Sequence, residues 1–148
     1  EHAILYSHDN IVHTIDRLTN GAGVDVAYDA VGRDTFDASL ASLRKRGTLV
    51  VYGLSSGPVP PFDINRLSGI TPGSGRGSLS LIWAAASHYI EDRQELLAQA
   101  RAVFDLVQAG SLRPTIAGRF PLAEAAQAHR LLESRAVVGK LLLIPQGR

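Results

Sequence analysis

Apolar residues recur along this chain in two rhythms, one helical and one extended, and the exchange between them predicts its elements. Ala3–Tyr6 is a short apolar run that predicts a brief strand. Asp9–Thr19 follows with Ile11, Val12, Ile15 and Leu18 at helical spacing, and Asn20-Gly21 closes it as a helix C-terminus. Val24–Val31 is a nearly continuous β-rich run, the pattern of a strand buried on both faces. Gly32 ends it, Asp34 is placed to cap a helix that turns Phe36, Leu40 and Leu43 inward, and Gly47 stops that helix. Thr48–Tyr52 then reads as a second buried strand, ended by Gly53. Strand, helix and strand within about thirty residues predict a βαβ unit with parallel strands and a right-handed crossover.

The second half is sparser. Leu54–Gly77 is rich in Gly, Ser and Pro and reads as a loop whose only patterned piece is Phe62–Leu67, and Ser78–Trp83 is a further strand. Asp92 and Glu95 form a capping-box-like pair ahead of Leu96, Leu97, Ala100, Val103, Phe104 and Val107, an amphipathic helix ended by Gly110. Thr115–Phe120 reads as extended. Pro121 suits the first turn of a helix through Ser134 that aligns Leu122, Ala126, His129 and Leu132, and Lys140–Ile144 is a last strand before Pro145. No internal repeat is present.

Composition narrows the function classes. The 148 residues suffice for a domain with a real core, and 45% hydrophobic with 20% charged residues is an ordinary globular balance. A net charge of +1 gives no electrostatic case for nucleic acid or an anionic membrane, and Arg44-Lys45-Arg46 reads as a solvated helix end. The absence of Cys removes disulfide and thiolate chemistry, and no apolar stretch has membrane-spanning length, so the expected location is cytoplasmic. No Met occurs, and with the topology this reads as a fragment of a longer protein.

Ligands of open parallel sheets sit at the carboxyl ends of the strands, which here read Asp29-Ala-Val-Gly32 and Val51-Tyr-Gly53. Glycine at both ends lets a ligand approach the backbone; the alternative is that these are only strand-to-loop turns. Gly73-Ser-Gly75-Arg-Gly77 lacks the spacing of a phosphate fingerprint and opens no helix, so a flexible loop is its better reading. Gly53-Leu-Ser55-Ser-Gly57 has the G-x-S-x-G spacing of a hydrolase nucleophile elbow, with Asp105 and His129 in triad order. Pro58, Pro60 and Pro61 deny it the helix that an elbow needs. No two His residues have the spacing of a helical zinc motif, and His129 reads as a hydrogen-bonded, partly buried imidazole, so no metal site is expected.

The residues Val26-Ala-Tyr-Asp-Ala-Val-Gly-Arg-Asp-Thr-Phe36, Ser39 to Leu49, and Gly53 with Ser56-Gly-Pro-Val-Pro-Pro-Phe-Asp63 resemble the quinone oxidoreductase branch of the medium-chain dehydrogenase/reductase superfamily. Phe120-Pro-Leu-Ala-Glu-Ala-Ala-Gln-Ala-His129 and Gly139-Lys-Leu-Leu-Leu-Ile-Pro145 agree. The resemblance implies an α/β fold, the second part of a Rossmann-type doubly wound parallel sheet. Residues 1–110 would carry strands three to six and helices of the partial NAD(P)-binding domain, and 111–148 would return to an absent catalytic domain. The complete protein would be roughly twice this length. It further implies NADPH as cofactor, a quinone or α,β-unsaturated carbonyl as substrate, no zinc, and a homodimer through the Ser78–Trp83 edge.

By the same resemblance, Tyr6 sits beside the adenosine and Val31 and Gly32 lie along the dinucleotide. Tyr52, Gly53 and Leu54 approach the ribose and nicotinamide, Ile82 and Trp83 flank the nicotinamide, and Lys140 is near the crevice. Catalysis there is mainly placement of hydride donor and acceptor, so no catalytic acid or base is named. Two departures stand out: Leu67–Gly77 is longer than the family's usual turn, and Trp83-Ala84 replaces its Arg-Pro. Without strands one and two, Ala3–Tyr6 is expected either to move against Val24–Val31 or to leave that edge for another chain. The fragment is expected to be inactive alone; a non-catalytic dinucleotide-binding or dimerisation module is the other reading.

Overall fold

The computed structural model describes residues 2–70, 75–134 and 136–145. It contains two compact units, 1–90 and 91–148, which are taken in turn.

In the first unit, helix α1 (Ile11–Leu18) starts at Asn10, whose side chain accepts from the backbone N–H of His13. Strand β1 (Val24–Asp29), helix α2 (Phe36–Ala41) and strand β2 (Leu43–Val51) form the expected βαβ unit. Strand β3 (Ser80–Trp83) completes a parallel sheet in the order β1-β2-β3. The core lies between the sheet and α2, where Phe36 and Leu40 meet Leu43, Leu49, Val51 and Leu79. Phe62 stands edge-on to Phe36, ring centroids 5.2 Å apart, and Arg66 lies over Phe62 while donating to Asp37. These contacts bring residues 59–67, which include a single 3₁₀ turn at Ile64–Leu67, down onto α2.

Four expectations need correction. Ala3–Tyr6 is not a strand: Leu5 C=O accepts from the N–H of both His8 and Asp9, so the segment curls into a turn before α1. A strand exists only beside a partner, and this segment does not pair with β1. Nor is β1 buried on both faces: Tyr28, on the face opposite Asp29, is 73% exposed, and among the described residues no strand pairs with its outer edge. Helix α2 is shorter than expected and begins after Thr35, not at Asp34. It ends at Ala41, so Leu43 enters the core from β2. Arg44, Lys45 and Arg46 therefore lie in an irregular start of β2, not at a helix end. The register jumps there from Val24↔Leu43 to Val26↔Thr48, and Arg46 takes a positive φ of 62°.

Residues 75–79 lie against residues 66–68: Gly75 N–H donates to Arg66 C=O and Leu79 N–H to Leu67 C=O. Arg76 reaches α1, donating to Asp16 and to Gly21 C=O. Of the Gly-rich run read as a flexible loop, Gly73 and Ser74 lie outside the described residues.

In the second unit, helix α3 (Arg93–Gln108) is capped by Asp92, whose carboxylate accepts from the N–H of Gln94 and Glu95. Strand β4 (Ile116–Pro121), a 3₁₀ turn at Leu122–Glu124, helix α4 (Ala125–Glu133) and strand β5 (Lys140–Ile144) follow. β4 and β5 pair in parallel, so this unit is a second, smaller strand–helix–strand arrangement. Among the described residues, no helix is long and apolar enough to cross a membrane.

Candidate functional site

The carboxyl ends of the three parallel strands come to one level. Asp29 pairs with Val51 and Val51 with Trp83, so the three side chains form a row on the face that carries α2. Tyr28, Val50 and Ile82 form the neighbouring row and point to the opposite face. Ile82 and Trp83, expected together beside one ligand group, thus diverge by the alternation of the strand.

Asp29 organises the loop that leaves β1. The residue is 3% exposed, and its carboxylate accepts from the N–H of Val31 and Gly32, both at 2.9 Å, from the Thr35 hydroxyl, and from the Ser39 hydroxyl at 2.7 Å. Burial pushes its pKa up, but the hydrogen bonds from Gly32 N–H, Ser39, Thr35 and Val31 N–H outweigh that. The net result holds the carboxyl below the ordinary carboxylate value. Asp29 is therefore an ion at neutral pH whose acceptor positions are used internally. The sequence reading missed this role, although an acid ending an apolar strand, with hydroxyls six and ten residues on, was its available signal.

The loop leaving β2 is laced to that turn. Tyr52 N–H donates to Asp29 C=O at 2.9 Å and Ser56 N–H to Val31 C=O at 2.9 Å, while Arg33 N–H donates back to Gly57 C=O at 3.1 Å. Ser56 Oγ donates to Val31 C=O and accepts from Asp34 N–H. The lacing explains both glycines. A Cβ on Gly53 would stand 2.5 Å from Ala30 C=O, and one on Gly32, at φ 88°, would stand 2.7 Å from Gly57 C=O. Neighbouring backbone, not open space for a ligand, occupies the side where each side chain would project.

Val31, Gly32, Tyr52, Gly53 and Leu54 are accordingly held together at the strand ends, with Tyr52, Leu54 and Trp83 exposed. Tyr52, Leu54 and Trp83 give this rim an apolar, largely aromatic surface. Tyr6 lies in the turn before α1, and Lys140 opens β5 in the second unit. The G-x-S-x-G run ends in an irregular stretch through Pro61, with no helix after Ser55, so it lacks the geometry of a nucleophile elbow. Asp105 and His129 lie within α3 and α4. Among the described residues, no group of three or more His, Cys, Asp or Glu side chains is placed to hold a metal ion.

Known proteins share this fold. The chain is 39% identical to a 2-haloacrylate reductase of Burkholderia sp. over 145 residues, 98% of this chain and 42% of that protein. The structure of Escherichia coli quinone oxidoreductase complexed with NADPH superposes with a TM-score of 0.84 at 37% identity, covering 96% of this chain and 42% of that one. A mycobacterial quinone oxidoreductase gives 0.80 at 40% identity, covering 96% and 42%. The chain thus spans about 42% of the length of these relatives, and it matches their C-terminal Rossmann-like half. The family model for zinc-binding dehydrogenases matches residues 1–143. The parallel sheet, its glycine-ended strands and that match over nearly the whole sequence place the chain in the zinc-binding dehydrogenase family.

Proposed function

We propose that this chain is the C-terminal portion of an NADPH-dependent oxidoreductase that reduces quinones or related α,β-unsaturated carbonyls by hydride transfer. The observation that carries the reading is its likeness, at 37% identity and a TM-score of 0.84, to a quinone oxidoreductase whose structure holds NADPH. Bound there, the dinucleotide would supply the hydride. Val31, Gly32, Tyr52, Gly53 and Leu54 would line it, with Trp83, and not Ile82 on the opposite face, at the nicotinamide end and Tyr6 at the adenosine end.

In this reading the protein residues bind and orient, and none named here moves a proton. Residues 1–110 belong to the partial cofactor domain and 111–148 to the catalytic domain of a longer protein, which functions in the cytoplasm without zinc. The Ser80–Trp83 part of the expected Ser78–Trp83 edge is exposed and is the outer strand of its sheet among the described residues, which supports a homodimer formed there, whereas Leu79 is buried and its N–H bonds to Leu67 C=O. The segment in isolation holds half of a cofactor cradle and is expected not to turn over.

The test is oxidation of NADPH by the full-length protein containing this chain, followed by the loss of reduced-nicotinamide absorbance. Turnover is expected with a 1,4-quinone or an enone as acceptor. A folded full-length protein that oxidises NADPH with neither acceptor overturns the reading.

A further inference from the structure

The geometry points to Asp29 as a positioning residue that sets the joint shape of the two strand-end loops, 29–35 and 53–57, without touching a ligand itself. A buried carboxylate is tolerated only where hydrogen bonds replace its water shell, and here they come from the turn that follows it. Oδ1 accepts from Val31 N–H, Gly32 N–H and the Thr35 hydroxyl, while Oδ2 accepts from the hydroxyls of Thr35 and Ser39. No acceptor position is left over for substrate or cofactor, which separates Asp29 from a general base.

The effect does not stop at its own loop. The carbonyl of Asp29 accepts from Tyr52 N–H, and the carbonyl of Val31, whose N–H the carboxylate holds, accepts from both Ser56 N–H and Ser56 Oγ. Loop 53–57 is thus attached to atoms whose positions the Asp29 carboxylate fixes. The alternative makes Asp29 a local turn-former only; it predicts that disturbing the carboxylate loosens loop 29–35 and leaves loop 53–57 unchanged. That these loops border a cofactor rests on the proposed function, whereas their coupling through Asp29 does not.

Residue-resolved amide hydrogen exchange on this chain tests the coupling. Thr35→Val removes the bridging hydroxyl at nearly constant volume, and Thr35→Ser restores it. Exchange at Gly32 and at Ser56 and Gly57 is expected to quicken together, by about tenfold or more, in Thr35→Val. Ala27 and Leu49 in the sheet should hold their protection, and Thr35→Ser should return all three loop amides toward the parent rates. Ser39→Ala, which deletes one partly buried donor, is expected to give the same pattern at smaller amplitude and serves if Thr35→Val does not fold. Faster exchange confined to 31–35, with Ser56 and Gly57 unmoved in the folded variants, overturns the proposal. NADPH titration of the full-length protein carrying the same substitutions reads the cofactor separately: absence of binding in the unsubstituted full-length protein counts against the crevice and leaves the coupling result intact.

Discussion

The Thr35 hydroxyl stands 2.9 Å and 2.8 Å from the two carboxylate oxygens of Asp29, so one hydrogen is shared across the whole anionic group. Both residues are buried, Asp29 at the end of β1 and Thr35 directly before α2, at the two ends of the loop that carries part of the candidate site.

That relationship makes stability pH-dependent with a defined sign. The folded state holds Asp29 below its ordinary pKa, so the unfolded chain takes up the proton first as pH falls. Its stabilising contribution is complete above the ordinary carboxylate range and is lost as pH drops through the folded value. Asp29→Asn should cost about 1–3 kcal/mol at neutral pH, because an amide leaves some of these donors unpaired. Denaturant titrations across pH should show a flatter acid limb in the variant; an unchanged acid limb would sink the assignment.

Glycine substitutions should divide by what stands beside them. Gly53→Ala drives a methyl against the Ala30 carbonyl and should destabilise by about 1–3 kcal/mol. Gly32→Ala adds positive-φ strain to a clash of the same kind and should cost more. Gly21→Ala, at φ 79° with nothing within 4 Å, should carry the conformational cost alone, about 1–2 kcal/mol. Thermal melting ranks the three, and equal losses would refute the packing explanation.

Truncation in the sheet should depend on the face. Leu49 is fully buried against α2, and Leu49→Ala should lose about 2–5 kcal/mol. Ile82→Ala, on the opposite face and 44% exposed, should lose distinctly less. Urea midpoints at constant slope measure the difference.

The open edge of β1 predicts self-association. With Ala3–Tyr6 turned away, no described strand covers the edge, and the apolar side chains of Val26 and Tyr28 are exposed, a template for pairing between copies. Sedimentation should show mass rising with concentration, and Val26→Lys with Tyr28→Lys should suppress it. A concentration-independent monomer would contradict this expectation.

Much of the fold was legible because its signals are local. The period of Ile11, Val12, Ile15 and Leu18 marks α1, the β-rich runs mark β1 to β3 and β5, and Asp92 announces α3. What escaped depends on distant partners. Ala3–Tyr6 has a strand's composition but no strand beside it, and Leu43 changes element because the irregular pairing at Arg44–Gly47 draws it into the sheet. At the site, the strand-end glycines were visible, but their cause was not: the atoms they avoid belong to Ala30 and to Gly57, more than twenty residues away in each case. Asp29 escaped because its partners acquire meaning only once α2 has folded over it.

The lacing of residues 29–34 to 53–57 also bears on motion. Two loops that share backbone hydrogen bonds in both directions are expected to move together, so that neither swings alone to admit or release a guest. Whatever adaptation this rim makes falls to the rotamers of Tyr52, Leu54 and Trp83, which change in nanoseconds and leave the backbone as it was.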